Sequence, residues 1–320
     1  MLFAPLSPQQ VNNDPTSTWV AGHNGKFSEQ SPADLRRFMG TDVHAKLPAH
    51  FEPINHPLTD ADVAALYHTA ATTGFDSRTA FPGCIGPIMD QGCCGSCWAF
   101  GGVEAMSDRL CIENVTKGFL QLSPLDVAEC DQMDNGCFGG SVSGPWDYAK
   151  NNGIVTEACK PYLQGEKPNA GPIKTCAPDK EPCTNFQQTP SCARKCANGA
   201  SYSGDKHTLN RVYSVGGFFG SPTQMMKELQ ENGPFESAFT VYADFPNYKS
   251  GVYSHKTGGE LGGHAIKIIG FGTEGSTPYW LVQNSWTTTW GDKGYFKIKR
   301  GSNECGIESG PMAGSWKAKA

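Results

Sequence analysis

The apolar positions in the middle of the chain recur with a helical period. Four of them, Ala99, Val103, Met106 and Leu110, are spaced by four, three and four residues. This spacing predicts a helix that begins at or just before Cys97 and buries the apolar stripe. Capping residues, prolines and terminal glycines predict further helices. These helices lie at 31–40, 59–67, from 123 onward, 146–152 and 221–234.

The last third of the chain changes to strand-like runs. The runs lie at 235–242, 264–271, 279–283 and 295–299. A helical half therefore precedes a β half, which predicts an α+β fold. Residues 1 to about 72 differ from the rest, because they hold no cysteine but five of the eight histidines. They form a separate segment.

Composition narrows the class of protein. The 320 residues carry 26 Lys and Arg against 31 Asp and Glu, a net charge of −5, so the chain has no basic footprint for nucleic acid. With 38% hydrophobic and 18% charged residues, the chain can bury a sizeable core. No apolar run approaches the ~18 to 20 residues that a membrane span requires.

Cysteines are numerous, and all thirteen lie after residue 83. So many thiols in a chain rich in glycine and proline predict a disulfide framework made in an oxidising compartment. The odd total leaves at least one thiol unpaired. The triplet that begins at Asn114 is a candidate N-glycosylation site, which agrees with secretion, although such triplets often arise by chance.

The densest group of reactive residues is the run 91–100, which contains the string Cys-Gly-Ser-Cys-Trp with Cys97 as its second cysteine. This run resembles the nucleophile signature of the papain and cathepsin cysteine peptidases. Two further strings follow in that family's order, Gly-Gly-His-Ala around His264 and Gln-Asn-Ser-Trp around Asn284. Together they predict the hydrolysis of peptide bonds by a cysteine-type endopeptidase.

The chemistry explains why these residue types are needed. A helix start and a neighbouring imidazolium favour the thiolate of Cys97. His264 would hold the proton and then donate it to the leaving amine, and Asn284 would orient the imidazole. Trp286 would shield that bond from water. The side-chain amide of Gln91 would aim at the oxyanion beside the backbone N–H of Cys97.

Each piece taken alone has another interpretation. A Cys-x-x-Cys string is also typical of a redox pair or of half a zinc site. His264 alone would be a core histidine, and Asn284 alone would stabilise a turn. Two classes compete with a peptidase: a thiol–disulfide oxidoreductase that uses Cys94 and Cys97, and a disulfide-rich binding module or inactive relative.

Within the family, the chain resembles the cathepsin B-like subgroup over nearly its whole length. The strings that carry this resemblance are 18–24, 75–78, 136–140, 205–207, 248–253 and 305–309. The resemblance implies a papain-like two-lobed fold with the active-site cleft between the lobes. It implies an inhibitory prosegment at 1–72, removed near 70–74, and a peptidase domain at 73–320. The helical lobe would be mainly 90–215, and an antiparallel β-barrel-like lobe mainly 216–310.

The resemblance also implies five disulfide bonds. The pairs are Cys84–Cys111, Cys94–Cys137, Cys130–Cys192, Cys159–Cys196 and Cys176–Cys183. Cys97 and Cys305 would remain free. Cys93 is an extra residue beside the motif, for which an ordinary buried thiol is the first interpretation and an oxidation-sensitive neighbour the second. A zinc site at 176, 183, 192 and 196 is disfavoured by its irregular spacing, and neither metal nor cofactor is expected.

Substrate binding is likewise implied by the resemblance. The substrate would pair its backbone with Gly140, and Trp286 would also contribute to binding. The pocket for the residue two before the scissile bond would be formed by Val142, Ala238, Ala265 and Gly310. Gly310 stands where the subgroup has an acidic residue, so we expect apolar side chains to be preferred there.

A second departure from the subgroup lies between Cys176 and Cys183, where the paired histidines that bind a substrate carboxylate are missing. We therefore expect an open cleft and weak or absent peptidyl-dipeptidase activity, with Lys180 as a partial substitute anchor. Expected partners are protein and peptide substrates, the prosegment and cystatin-like inhibitors. The expected location is a lysosome-like acidic compartment, the secreted fraction, or both.

The five prosegment histidines (23, 44, 50, 56 and 68) suggest an acid trigger. Protonation between about pH 7 and 5 would add positive charge and loosen the docking of the prosegment. The alternative is that these side chains are simply solvated.

Overall fold

The computed structural model describes residues 8–25, 27, 30–43, 48, 50–162, 172–173, 186–217 and 220–317. The helices in them are α1 Pro8–Asn12, α2 Pro32–Arg36, α3 Asp60–Thr72, α4 Ser77–Ala80, α5 Cys97–Ile112, α6 Pro124–Cys130, α7 Gly144–Asn151 and α8 Pro222–Asn232. The strands are β1 Trp19–Ala21, β2 Pro53–Ile54, β3 Phe75–Asp76, β4 Arg211–Val215, β5 Phe235–Tyr242, β6 Tyr248–Tyr253, β7 Glu260–Glu274, β8 Thr277–Gln283, β9 Tyr295–Lys299 and β10 Met312–Ser315. None of the described helices has the length and apolar character that a membrane crossing requires. The α+β fold is confirmed.

Four of the predicted helix starts are confirmed by their caps, whereas the helix predicted from 146 begins two residues earlier, at Gly144. The hydroxyl groups of four residues each accept a hydrogen bond from a backbone N–H in the first turn: Ser31, Thr59, Ser123 and Ser221. The predicted end of the first of these helices is wrong. Helix α2 ends at Arg36 rather than Gly40, because the residues after it lead into an extended segment that contacts the backbone of Gly263 and Gly140.

The strands form one open sheet in the order β1-β6-β9-β8-β7-β5-β10-β4-β2, and β3 pairs with β7 beside this path. Most neighbours are antiparallel, but β6 pairs with β9 and β2 with β4 in parallel. The expected barrel-like lobe is therefore a sheet that does not close on itself. Both outermost strands, β1 and β2, come from the N-terminal segment, by which we mean residues up to 72.

Helix α5 lies at the centre of the molecule, because it packs on β5 and β7 on one side and on α6 and α7 on the other. The predicted stripe is confirmed, since its four apolar residues are all fully buried. The enclosure goes further than the stripe, and charged side chains of α5 are buried as well. Two of them form ion pairs: Asp108 lies 2.6 Å from Lys267, and Arg109 lies 2.7 Å from Glu228.

The disulfides account for most of the described cysteines. The bonds present are Cys84–Cys111, Cys94–Cys137, Cys130–Cys192 and Cys159–Cys196, while Cys97 and Cys305 are free. Cys93 is also disulfide-bonded, so the interpretation as an ordinary buried thiol is wrong. Its partner lies outside the described residues, as do Cys176, Cys183 and Lys180.

Candidate active site

Cys97 is the first residue of α5, and its side chain is fully buried. The capping residue Ser96 makes no side-chain bond to the helix; its hydroxyl lies 2.5 Å from that of Tyr162 instead. The helix N-terminus therefore acts on the thiol through its own backbone groups, which favour an anion. In this structure burial dominates and raises the pKa of Cys97, although hydrogen bonds from Ala265 and Thr41 act to lower it.

His264 and Asn284 are brought together by the β7–β8 hairpin. His264 lies on β7, and Asn284 directly follows β8. Nε2 of His264 is 2.8 Å from Oδ1 of Asn284, and both side chains are buried. The ring of Trp286 stacks at 4.5 Å from the imidazole with a tilt of 31°. The predicted contact is thus present, and the indole covers one face of the imidazole.

The thiol and the strand that carries His264 meet at the junction of α5 and the sheet. The backbone N–H of Ala265, the residue that follows His264, hydrogen-bonds to the Cys97 thiol. Ala265 and Cys97 also belong to one buried cluster. A helix start and a strand residue far apart in sequence are therefore adjacent, as the two-lobed interpretation requires.

Gln91 is fixed by both ends of its amide. Its Oε1 accepts hydrogen bonds from Ser285 at 2.9 Å and from Trp286 at 3.1 Å. Its Nε2 donates to the carbonyl oxygens of Phe38 at 3.1 Å and Cys94 at 3.0 Å. The donor is thus aimed at a carbonyl of the N-terminal segment, at the position predicted for an oxyanion.

The N-terminal segment crosses the thiol in an extended conformation. The N–H of Gly40 points at the sulfur of Cys97 at 3.3 Å, and its carbonyl accepts from the N–H of Gly140 at 2.8 Å. The next residue, Thr41, donates its N–H to the carbonyl of Gly263 at 3.1 Å. Thr41 forms a parallel bridge to Gly140 and an antiparallel bridge to Gly263, so the segment occupies the space between the two lobes.

Glycine is required where the segment passes closest. A Cβ atom at Gly40 would lie 1.8 Å from the carbonyl oxygen of Gly95, and one at Gly263 would lie 2.0 Å from the carbonyl oxygen of Thr41. Neither backbone oxygen can move aside as a flexible side chain would. The close approach of the two backbones therefore depends on residues without side chains.

Apolar residues predicted to line a pocket lie in the buried cluster that contains Cys97. Ala238 and Ala265 are direct neighbours in the β5–β7 pair, and both belong to a buried cluster against which Val142 packs. Val43 of the N-terminal segment packs against the same cluster. Three of the four predicted pocket residues thus belong to or pack against one buried cluster, and an apolar side chain of the segment packs against the same cluster. The membership of Gly310, which has a φ of 64°, stays a prediction.

The disulfides argue against the redox-pair and zinc-site interpretations. Cys94 is bonded to Cys137, so it is not a redox partner of Cys97 in this structure. Cys192 and Cys196 are in disulfides, which removes them as zinc ligands. One group of potential metal ligands occurs among the described residues, but two of its three members are the bonded pair Cys159–Cys196. The disulfide leaves that group without thiolates.

Sequence reasoning missed several contacts at this site. The hydroxyl of Tyr162 donates to the carbonyl of Gln91 at 3.0 Å and contacts Ser96, so it joins both sides of the cysteine motif. Phe38, fully buried, packs edge-on against Phe27 and Phe186 at 5.3 and 5.0 Å. No local signal marks these residues, because their partners are distant in sequence.

Comparisons with known proteins agree with this geometry. A model of the family described as papain family cysteine protease matches residues 71–315. The chain belongs to this family. It is 46% identical over 302 residues to cathepsin B of Dictyostelium discoideum, covering 93% of this chain and 88% of that protein. It is 40% identical over 327 residues to a cathepsin B-like cysteine proteinase of Schistosoma japonicum, covering 97% and 91% respectively.

Solved structures extend the similarity to the proenzyme form. Procathepsin B S9 of Trypanosoma congolense superposes with a TM-score of 0.78 and 32% identity, covering 98% of this chain and all of that one. The cathepsin B-like assignment and the papain-like fold are therefore confirmed. The chain is a cysteine peptidase with its N-terminal segment, hereafter the prosegment, as an intramolecular partner.

Proposed function

We propose that Cys97, His264, Asn284 and Gln91 form the catalytic machinery of an endopeptidase made as an inactive proenzyme. The observation that carries this proposal is the placement of the prosegment backbone. The Gly40 N–H lies against the Cys97 sulfur, while the Phe38 carbonyl accepts from Gln91. A peptide backbone is thereby already seated on the sulfur and on the oxyanion donor.

The chemistry follows from these contacts. Once the prosegment has left, the Cys97 thiolate attacks a substrate carbonyl, and the oxyanion takes the hydrogen bond that Phe38 now receives from Gln91. His264, oriented by Asn284, donates its proton to the leaving amine. Water then hydrolyses the acyl-enzyme, with His264 as the base, and the free thiol–imidazole pair returns.

We also propose bounds for the prosegment, the peptidase domain and its two lobes. We place the prosegment at 1–72, with removal near 70–74, and the peptidase domain at 73–320. Its helical lobe is mainly 90–215 and its β lobe mainly 216–310. An oxidised, acidic destination such as a lysosome-like compartment or the secreted fraction suits the disulfides, and Asn114 in its exposed turn is open to glycosylation.

Specificity two residues before the scissile bond should be apolar. Support comes from the prosegment side chain Val43, which, like Val142, packs against the buried cluster that contains Ala238 and Ala265. In a positional peptide library we expect apolar or aromatic residues to rank first. A ranking led by arginine would contradict the assignment of this pocket.

Endopeptidase activity should dominate over removal of C-terminal dipeptides, because the segment 177–182 contains no histidine to bind a terminal carboxylate. The measurement is kcat/KM on matched peptides with free and amidated C-termini. Similar values are expected. A strong preference for the free carboxylate would overturn this part of the proposal.

The catalytic assignment is tested by covalent capture. After processing at acid pH, an epoxide inhibitor should modify Cys97, and Cys97→Ser should abolish both labelling and peptide hydrolysis. The free cysteine Cys305, whose pKa is raised by burial beside Glu304, serves as the internal control and should stay unmodified. Labelling elsewhere, or turnover without the thiol, refutes the proposal.

A further inference from the structure

Besides the cleft and the β1–β6 pair, the prosegment contacts the peptidase domain at α8 and β4. Strand β2 adds to β4 in parallel, with Pro53 opposite Ser214 and Ile54 opposite Val215. Two residues further along, His56 is buried against α8 with 9% of its surface exposed. Its backbone N–H and carbonyl both bond to the side-chain amide of Gln224, at 2.5 and 3.0 Å.

The imidazole of His56 is held between two carboxylates. Nε2 lies 2.7 Å from Glu228 Oε2, and Nδ1 lies 3.0 Å from Glu231 Oε2. A neutral imidazole carries one N–H and could donate to only one of them, whereas an imidazolium donates to both. An imidazolium in this position would make a charge-assisted hydrogen bond on each side.

Glu228, the more deeply buried of the two carboxylates, is also held by side chains of the peptidase domain itself. Glu228 is fully buried, and it also accepts hydrogen bonds from Arg109 at 2.7 Å, Tyr213 at 2.8 Å and Asn232 at 3.0 Å. Burial would raise the pKa of Glu228, but Arg109 and the hydrogen bonds, including that from His56, lower it to about 2. The carboxylate is therefore ionised at any working pH.

Further charged groups surround the two carboxylates that contact the His56 imidazole. Glu231 is half-exposed and pairs with Lys227 at 2.9 Å on the same helix, and Lys227 in turn faces Asp62 of α3. Arg109 of α5 and Tyr213 of β4 lie behind Glu228. The groups in direct contact with the ring are thus both carboxylates. Protonation of His56 adds attraction there.

This geometry contradicts the acid trigger where it can be examined. At His56, and at His50, which lies 3.1 Å from Asp147, a gained proton strengthens docking instead of loosening it. His23 and His68 are exposed, as the solvated alternative holds, and His44 lies outside the described residues. Acid-induced release of the prosegment must therefore begin elsewhere than at His50 and His56.

We propose that Gln224, Glu228 and Glu231 form a second, non-catalytic binding site of the peptidase domain, which binds an extended segment carrying a protonated histidine. Its occupant is the enzyme's own prosegment, both in the intact chain and after cleavage. The backbone of the segment is bound by β4 and by the Gln224 amide, and the side chain is selected by the carboxylate pair. The affinity of this site for the prosegment rises as the pH falls.

The test uses the complete chain with Cys97→Ser, which prevents self-processing, so it does not depend on turnover. Nitrogen-15 spectra should show both ring nitrogens of His56 protonated at pH 5. Protection factors from amide hydrogen exchange, corrected for the intrinsic rate, should be at least about 10-fold higher across 52–57 at pH 5 than at pH 7.5. His56→Gln should remove this difference.

Two further variants keep the test decisive. Glu231→Gln changes only the half-exposed carboxylate, so the protein should fold, and the pH difference should shrink by about 3-fold. His68→Gln, at an exposed position of the same segment, is the matched control and should change nothing. After nicking in trans by processed enzyme, the parent prosegment should dissociate at pH 5 at least about 10-fold more slowly than the prosegment of His56→Gln. A neutral His56 at pH 5, or parental pH dependence in both variants, overturns the proposal.

Discussion

The prosegment binds the peptidase domain by different means in two of the regions where the two are in contact. Over the cleft, residues 38–41 make most of their hydrogen bonds through the backbone, with Gly40 between the sulfur of Cys97 and the N–H of Gly140, and the Thr41 hydroxyl adds one side-chain contact to that sulfur. At α8, the contact depends on one side chain, His56, between two carboxylates. The comparison teaches that blocking the active site needs the shape of a peptide with little side-chain chemistry. Attachment beside α8 is specific and sensitive to pH.

The largest effect is expected from Gly40→Val, which should break the cleft contact alone. The new Cβ would meet the Gly95 carbonyl at 1.8 Å, so the strand cannot stay on Cys97. We expect the unprocessed chain to react with an epoxide inhibitor about 100-fold faster, the equivalent of roughly 3 kcal/mol.

The matched control is Gly22→Ala in the same prosegment. There a Cβ would meet only the flexible side chain of Lys249, at 2.9 Å, so labelling should stay slow. If Gly40→Val leaves the labelling rate of the proenzyme unchanged, the cleft contact does not depend on close backbone approach.

The next effect concerns the pH dependence of the free energy of unfolding, which we attribute to the buried Glu104 and not to the contacts of the prosegment. Burial raises the pKa of Glu104 to about 8, although Lys267 opposes this. The folded chain keeps this proton, whereas the unfolded chain releases it near pH 4.5, so stability is lost as the pH rises between these values. In the Cys97→Ser chain, Glu104→Gln should reduce the fall in the free energy of unfolding from pH 5 to 8 by about 3 kcal/mol.

Denaturant titrations at several pH values measure this effect. Some pH dependence should remain, because burial also raises the pKa of Glu157 to about 8. The exposed Glu260 on β7 provides the control, since Glu260→Gln should leave the parental slope intact. If the free energy of unfolding of the Glu104 variant fell with pH as steeply as that of the parent, the Glu104 carboxyl would be ionised in the folded chain.

A smaller effect should sharpen the α8 side of the comparison. Thr59 and Asp62 form a reciprocal capping box at the start of α3, with bonds of 2.9 and 3.2 Å. Thr59→Ala should destabilise α3 by about 1 kcal/mol and lower exchange protection in α3 without raising the labelling of Cys97. Thr72→Ala, at the other end of α3, should have little effect. Increased labelling would show that the two contacts are coupled.

The smallest effect is expected at His50. Its pairing with Asp147 resembles that of His56, but 58% of its side chain is exposed. His50→Gln should therefore change the free energy of unfolding by at most about 0.5 kcal/mol at pH 5, as measured by denaturant titration. A loss as large as that of His56→Gln would mean that burial does not set the strength of these pairs.

Much of the fold could be predicted because its signals are local. The hydroxyl caps at Ser31 and Thr59 and the apolar period after Cys97 each depend on residues within a few positions. The runs 235–242 and 295–299 matched β5 and β9 at both ends. The bounds of β7 were too narrow, because glycines at 262, 263 and 272 obscure the strand pattern.

Long-range pairing could not be predicted in the same way. Strands β1 and β2 have three and two residues, and they exist only because β6 and β4 offer them hydrogen bonds. The hydrogen bonds of His56 to Gln224 and Glu228 join residues more than 160 positions apart. The disulfide of Cys93 could not be predicted, because the sequence does not distinguish a bonded cysteine from a free one. For the candidate site, motif strings predicted which residues approach one another, but the contacts of Phe38 and Tyr162 needed coordinates.

The position of β1 and β2 at the two ends of the sheet has a consequence for the released enzyme. When the prosegment departs, β6 and β4 lose their outer neighbours together, and two rows of unpaired backbone donors and acceptors face solvent. Such rows are templates for pairing with other chains, so we expect the mature enzyme to self-associate more readily than the proenzyme at high concentration. On this expectation the prosegment covers two sheet borders as well as the active site.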